Sequence, residues 1–155
     1  MGRIVFDTAT SLNGWIADEH NSLAWLFAES DILAHPQKWR EFHGDKPTFV
    51  FTTRQLPVPE GADVRFVSGP VADVLPVIRE TAGDGDIWVV GGGDLAGQFL
   101  DAGALDEIAL SVAPVALNGG APLLPRRVES DRLRLVSARA VGQFARLVYR
   151  VLPEE

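Results

Sequence analysis

The sequence contains no cysteine in its 155 residues. That absence excludes a disulfide framework, a thiolate nucleophile and a cysteine-ligated metal. Lysine is nearly missing too, with Lys38 and Lys46 set against twelve arginines. We read that bias as genome composition rather than chemistry. No apolar run approaches the roughly 20 residues of a membrane span. The opening apolar stretch is broken at Asp7, too early for a signal-peptide core, and Phe6 stands where a myristoylation signal needs a hydroxyl. There is no G-x-S-x-G nucleophile elbow. His20, His35 and His43 lack metal-ligand spacing, so surface histidines and no metal are expected. Positive charge is in the minority, with a formal net charge of −7. This disfavours nucleic acid and anionic membrane surfaces as partners, and leaves room for a local basic pocket that takes a phosphate. A cytoplasmic location is the default.

What is present is enough for a core. The hydrophobic fraction of 46% is too high for disorder. The length fits a single domain over residues 1–155, which buries about two-thirds of its surface on folding.

Strand-like and helix-like segments alternate along the chain. Short β-prone runs fall at 3–8, 15–17, 48–53, 64–68, 86–90 and 107–112. Ser11-Leu12-Asn13-Gly14 is a turn between the first two. Residues 23–28 are apolar and too short to assign by period. Pro36 opens a helix that carries Trp39 and Phe42 on one face and stops near Gly44. Because Pro76 belongs in a first turn, a second helix is predicted to start near Asp73 and to end at Gly83. A third spans 94–102, with Leu95, Phe99 and Leu100 inward and Gly103 closing it. Residues 133–140 and 143–152 form a terminal hairpin turning at Val141-Gly142, with a bulge where the second strand alternates poorly. The interleaving argues an α/β domain with a mixed sheet.

The strongest local pattern is strand, triple glycine, helix: Ile87–Val90, Gly91-Gly92-Gly93, then Asp94 and Leu95. Glycines let a backbone approach a phosphate without Cβ collisions, and the N-terminus of a helix attracts an anion. A plain tight turn is the alternative, and it does not need three glycines. Gly91, Gly93 and Ala96 also satisfy the dinucleotide pattern G-x-G-x-x-A. The strand after it ends at Ala113-Pro114 without the expected acid, which disfavours a standard Rossmann fold. Thr52-Thr53-Arg54 leaves the best strand at the end where open α/β sheets bind ligands. Two hydroxyls and a guanidinium suit a phosphate monoester, and a surface ion pair of Arg54 is the other reading. The tryptophans Trp15, Trp25, Trp39 and Trp88 are expected in the core or a pocket wall. Asp106-Glu107 and Glu154-Glu155 are expected to be solvated.

Taken together, these residues resemble the dihydrofolate reductase-like superfamily, in the branch of the riboflavin-biosynthesis reductase C-terminal domain. Matching blocks are 4–17, 51–54, 88–96 and 105–108, extended by 111–115 and 119–123. The resemblance implies a mixed, mostly parallel central sheet flanked by helices, ending in an antiparallel hairpin. It also implies NADPH and hydride transfer to a heterocycle. On this analogy Ala9 and Asn13-Gly14-Trp15-Ile16 lie on the nicotinamide side. Thr52, Thr53 and Arg54 face the 2′-phosphate, and Ser68 and Gly69 lie near the adenosine. Val90, Gly91, Gly92 and Gly93 hold the pyrophosphate, with Asp94 and Leu95 starting the supporting helix.

The chain departs from that family after residue 27. A helix, a strand and a second phosphate motif are missing, a deficit of about one βα unit. A true deletion, a strand supplied by a partner, or a stretch of chain missing between Phe27 and Ile32 would each account for it. The resulting expectation is an NADPH-dependent reductase acting on a small pterin- or pyrimidine-like or other unsaturated substrate, forming a homodimer. The alternative is a non-catalytic nucleotide-binding or structural homo-oligomer that kept the fold, and a flavin in the same cleft is a weaker third. Asp7 is a candidate proton donor, with an ordinary strand-end acid as the competing reading.

Overall fold

In a computed structural model of the chain, residues 1–22, 44–58 and 60–155 are described. The helix expected from Pro36, the run at 23–28, Trp25, Trp39 and the suspected deletion after residue 27 lie outside the described residues.

A five-stranded sheet organises the fold. Its interior strand β1 (Ile4–Thr10) pairs in parallel with β5 (Ile87–Val89) on one side and β6 (Glu107–Val112) on the other. Beyond β6 the sheet turns antiparallel, with β9 (Phe144–Val151) and then β8 (Leu133–Val141). The sheet is therefore mixed, as expected, in the order β5-β1-β6-β9-β8. Among the described residues two smaller ribbons accompany it: β3 (Thr48–Phe51) parallel to β4 (Val64–Val67), and β2 (Trp15–Ala17) antiparallel to β7 (Ala121–Pro122).

The period-two alternation of β1 decides where the core lies. Ile4 and Phe6 have no exposed surface, and their partners Ile87 and Val89 on β5 and Ile108 on β6 share their face. Helices α1 (Val71–Ala82) and α2 (Gly93–Asp101) cover that face. Val71, Val74 and Ile78 of the first join Ala96, Phe99 and Leu100 of the second in one cluster with Ile4, Phe6 and Ile108. Full burial of a side chain such as Phe6 or Ile4 stabilises by about 1.5–3 kcal/mol. Phe49, Phe51 and Val67 pack against the same cluster, which ties the β3–β4 ribbon to the sheet.

Several expectations are corrected. Helix α1 starts at Val71, two residues before Asp73, and Pro76 lies inside it beyond the first turn. Burial of Val71, 1% exposed, outweighs the backbone bond that proline omits. The bulge falls in β8, between Leu135 and Ser137, rather than in β9. There it interrupts an edge strand that also carries Arg134 and Arg139, both exposed, a pattern that discourages pairing with other chains. Trp88 is not core but 53% exposed, and its indole N–H donates to the Asp7 carbonyl. Asp106 and Glu107 are not simply solvated. The Asp106 carboxylate accepts from the Ile4 N–H at 2.7 Å, and Glu107 pairs with Arg3 at 3.0 Å.

Candidate active site

The first part of the site is the turn after β1. The Ser11 hydroxyl donates to Asn13 Oδ1 and accepts from the Trp15 N–H, each at 2.9 Å, closing the turn on itself. Asn13 then ties the turn to the segment before β7. Its Nδ2 donates to the Leu117 carbonyl and its Oδ1 accepts from the Leu117 N–H. Leu12 N–H donates to Val115 O, and Leu123 N–H to Gly14 O. Asn13 is thus a clamp in this structure, its Oδ1 accepting from Ser11 and Leu117 and its Nδ2 donating to Leu117.

The triple glycine lies beside this turn. The chain leaves β5 at Val90, 55% exposed, and passes through Gly91 (φ 146°) into α2, whose N-cap is Gly92. The Gly91–Gly92 peptide bond is cis. The three glycines differ in what surrounds them. A Cβ on Gly93 would collide with the carbonyl oxygens of Pro122 and Leu123, so this glycine lets α2 press against β7. A Cβ on Gly91 would meet nothing within 4 Å, and one on Gly92 only Ile16 Cδ1 at 3.8 Å. The N–H groups of Gly91 and Gly92 donate to no acceptor among the described residues. Open space and unspent donors at the positive end of a helix are what an anionic group requires. Leu95, by contrast, packs its side chain against the core, so only its backbone faces the turn.

The third part stands at the ends of β3 and β4. Because Phe51 is in register with Val67, the parallel pairing brings Thr52-Thr53-Arg54 beside Ser68-Gly69. Thr52 N–H donates to Val67 O, and Thr52 Oγ1 accepts from the Arg54 N–H at 3.0 Å. Thr53, Arg54, Ser68 and Gly69 are exposed. Among the described residues the Arg54 guanidinium has no acidic partner. A hydrogen-bonded path links this part to the glycine turn. Val71 N–H, at the start of α1, donates to Gln98 Oε1, and Gln98 Nε2 donates to Asp94.

Asp94 receives Arg126 as well, at 3.2 Å. These bonds, first from Gln98 and then from Arg126, hold the Asp94 carboxyl below the usual carboxylate range. Sequence reasoning missed both partners. Gln98 was legible as an i, i+4 neighbour of Asp94 on a helix. Arg126, 32 residues away, left no local signal.

Ala9 and Asp7 lie on the sheet face opposite Phe6. Ala9 is in register with Ser111, and the Asp7 carboxylate accepts two 2.7 Å bonds from the Arg146 guanidinium, which also donates to Ser111 Oγ. That pairing raises the Arg146 pKa further. Asp7 is a strand acid whose carboxylate is held by the Arg146 guanidinium.

The mixed sheet with its covering helices is a reductase-like fold. The RibD C-terminal domain model matches residues 32–146, and the chain belongs to that family, which has the dihydrofolate reductase-like fold. The chain is similar to the uncharacterized protein YwjB of Bacillus subtilis, 26% identical with 95% of this chain and 97% of that protein covered. That alignment runs over 170 positions, more than this chain has residues, so it includes positions this chain leaves empty. A putative riboflavin biosynthesis protein from Shewanella sp. PV-4 superposes with a TM-score of 0.69 at 25% identity, covering 98% of this chain and 99% of that one. A Thermotoga maritima diaminohydroxyphosphoribosylaminopyrimidine deaminase/5-amino-6-(5-phosphoribosylamino)uracil reductase superposes at 0.70 with 13% identity. There 97% of this chain corresponds to 57% of the larger protein.

Proposed function

We propose that this protein is an NADPH-dependent reductase that transfers a hydride to a small heterocyclic, pterin- or pyrimidine-like, or other unsaturated substrate. One observation carries the reading: in a chain of the RibD C-terminal domain family, Gly91 and Gly92 leave open space and unspent N–H donors beside Ile16. The residues fit the cofactor. Gly91, Gly92 and the first turn of α2 would hold the pyrophosphate, Thr53 and Arg54 the 2′-phosphate, and Ser68 and Gly69 the adenosine side. Gly14, Trp15 and Ile16 would flank the nicotinamide. When bound, NADPH supplies the hydride, and the protein's share is orientation and electrostatics. Asn13 and Ser11 keep the turn in shape for that task.

The test is titration with NADPH to millimolar concentration, read by tryptophan fluorescence, followed by NADPH oxidation with pterin and pyrimidine substrates. Quenching and turnover support the reading, and neither occurring ends it. Binding without turnover supports the second reading, a nucleotide-binding protein without catalysis. What favours that one is the brevity of the chain beside its 170-position alignment. The expected assembly is a cytoplasmic homodimer, which sedimentation equilibrium checks.

A further inference from the structure

The start of α2 poses an electrostatic problem. An acid in a first turn stabilises a helix, and Asp94 is placed there. The same charge repels a phosphate arriving at Gly91 and Gly92. We propose that Arg126 is a positioning residue that neutralises Asp94 and so keeps the glycine turn receptive to the cofactor's pyrophosphate. The inference rests on the cofactor reading above and adds to it a residue outside the turn.

The arrangement is built rather than incidental. Arg126 Nε donates to Asp101 at 2.9 Å, near the far end of α2, and Nη1 and Nη2 both reach Asp94 Oδ1 at 3.2 Å. The guanidinium therefore lies along the helix between the two acids. Gly97 makes room for it, because a Cβ there would sit 2.7 Å from Arg126 Cζ. Nη1 also donates to the Pro125 carbonyl at 2.8 Å, which fixes the side chain from its own loop. The Arg126 side chain is only 25% exposed while that of Asp94 is 71% exposed. The cation is thus held in place, and the carboxylate it restrains, one turn or less from Gly92 in sequence, is exposed to solvent.

A double-mutant cycle on NADPH binding, measured by calorimetry at low ionic strength, tests this. Arg126→Gln is expected to weaken binding about fivefold, and Asp94→Asn to tighten it about two- to threefold, magnitudes typical of a charge at a helix terminus. The double variant is expected to bind as tightly as wild type or better, because the repulsion it would suffer is gone. Both single effects are expected to shrink in high salt. A purely structural Arg126 would lower the melting temperature of Arg126→Gln, and Asp94→Asn would not rescue its binding. Should Arg126→Gln fail to fold, Asp94→Asn decides alone, since unchanged or weaker binding overturns the proposal. Wild type that binds NADPH with additive single effects overturns the clamp and leaves the cofactor reading standing. Wild type that does not bind NADPH overturns both.

Discussion

The two halves of the candidate site are built differently. Around Gly14 and Gly93, turn, helix and strand are locked by backbone bonds and by the side chains of Ser11 and Asn13, which bond to the turn and to Leu117. Around Thr53-Arg54 and Ser68-Gly69, the residues are exposed strand ends held by two short bonds. The difference teaches that the first half is set by packing before any ligand arrives. The second presents charge and hydroxyls on a scaffold that does not depend on them. Substitutions at the packed positions of the first half, such as Gly93, should therefore cost stability, and those in the second should cost only recognition.

The largest effect is expected from Gly93→Ala, which drives a methyl group into two backbone carbonyls that have nowhere to go. Urea unfolding should show a loss of roughly 3 kcal/mol. A loss below 1 kcal/mol would mean that α2 can slide on β7. Gly92→Asp separates binding from stability within the same turn. Gly92 has φ −82° and open space, and aspartate is a favoured N-cap. The variant should melt at or above the wild-type temperature while losing NADPH affinity by about thirtyfold or more, near 2 kcal/mol. In the bare half, Arg54→Ala should weaken NADPH binding about tenfold, near 1.4 kcal/mol, leave NADH binding unchanged and leave the melting temperature unaltered. Equal losses for the two cofactors would remove Arg54 from the 2′-phosphate.

The smallest effect is on acid stability. Asp86, held below the usual carboxylate range by Arg3, and Asp94 both have lowered folded-state pKa values. A lowered value means that the contribution is present above the unfolded pKa of about 4 and is lost as pH falls through the folded value. Melting temperature should hold from neutral pH to about 4 and decline below it. Asp86→Asn should flatten part of that decline, by a small amount because both groups are exposed to solvent screening.

Much of this was legible in the sequence because it is written in local chemistry. The alternation in Ile4–Thr10, the β-branched and aromatic run at 48–51 and the glycines at 91–93 each report on their immediate neighbours. The strand at 107–112 was read to the residue. The start of α1 was misread because proline chemistry is local, whereas the burial of Val71 is set by α2 and the sheet. For Trp88, expected in the core or a pocket wall, the core reading failed because its side chain lies on the sheet face opposite the one that the described helices α1 and α2 cover, half-exposed.

The sequence by itself determined the α/β class, the glycine turn and the cluster of hydroxyls and arginine after β3, since period, backbone freedom and residue chemistry act over a few positions. Only the tertiary structure decided which glycine is for packing and which is open, that Asn13 serves the loop, that Asp7 belongs to Arg146, and that Arg126 lies over Asp94. Those are contacts between residues tens of positions apart, fixed by how helices and strands pack, and no local pattern encodes them.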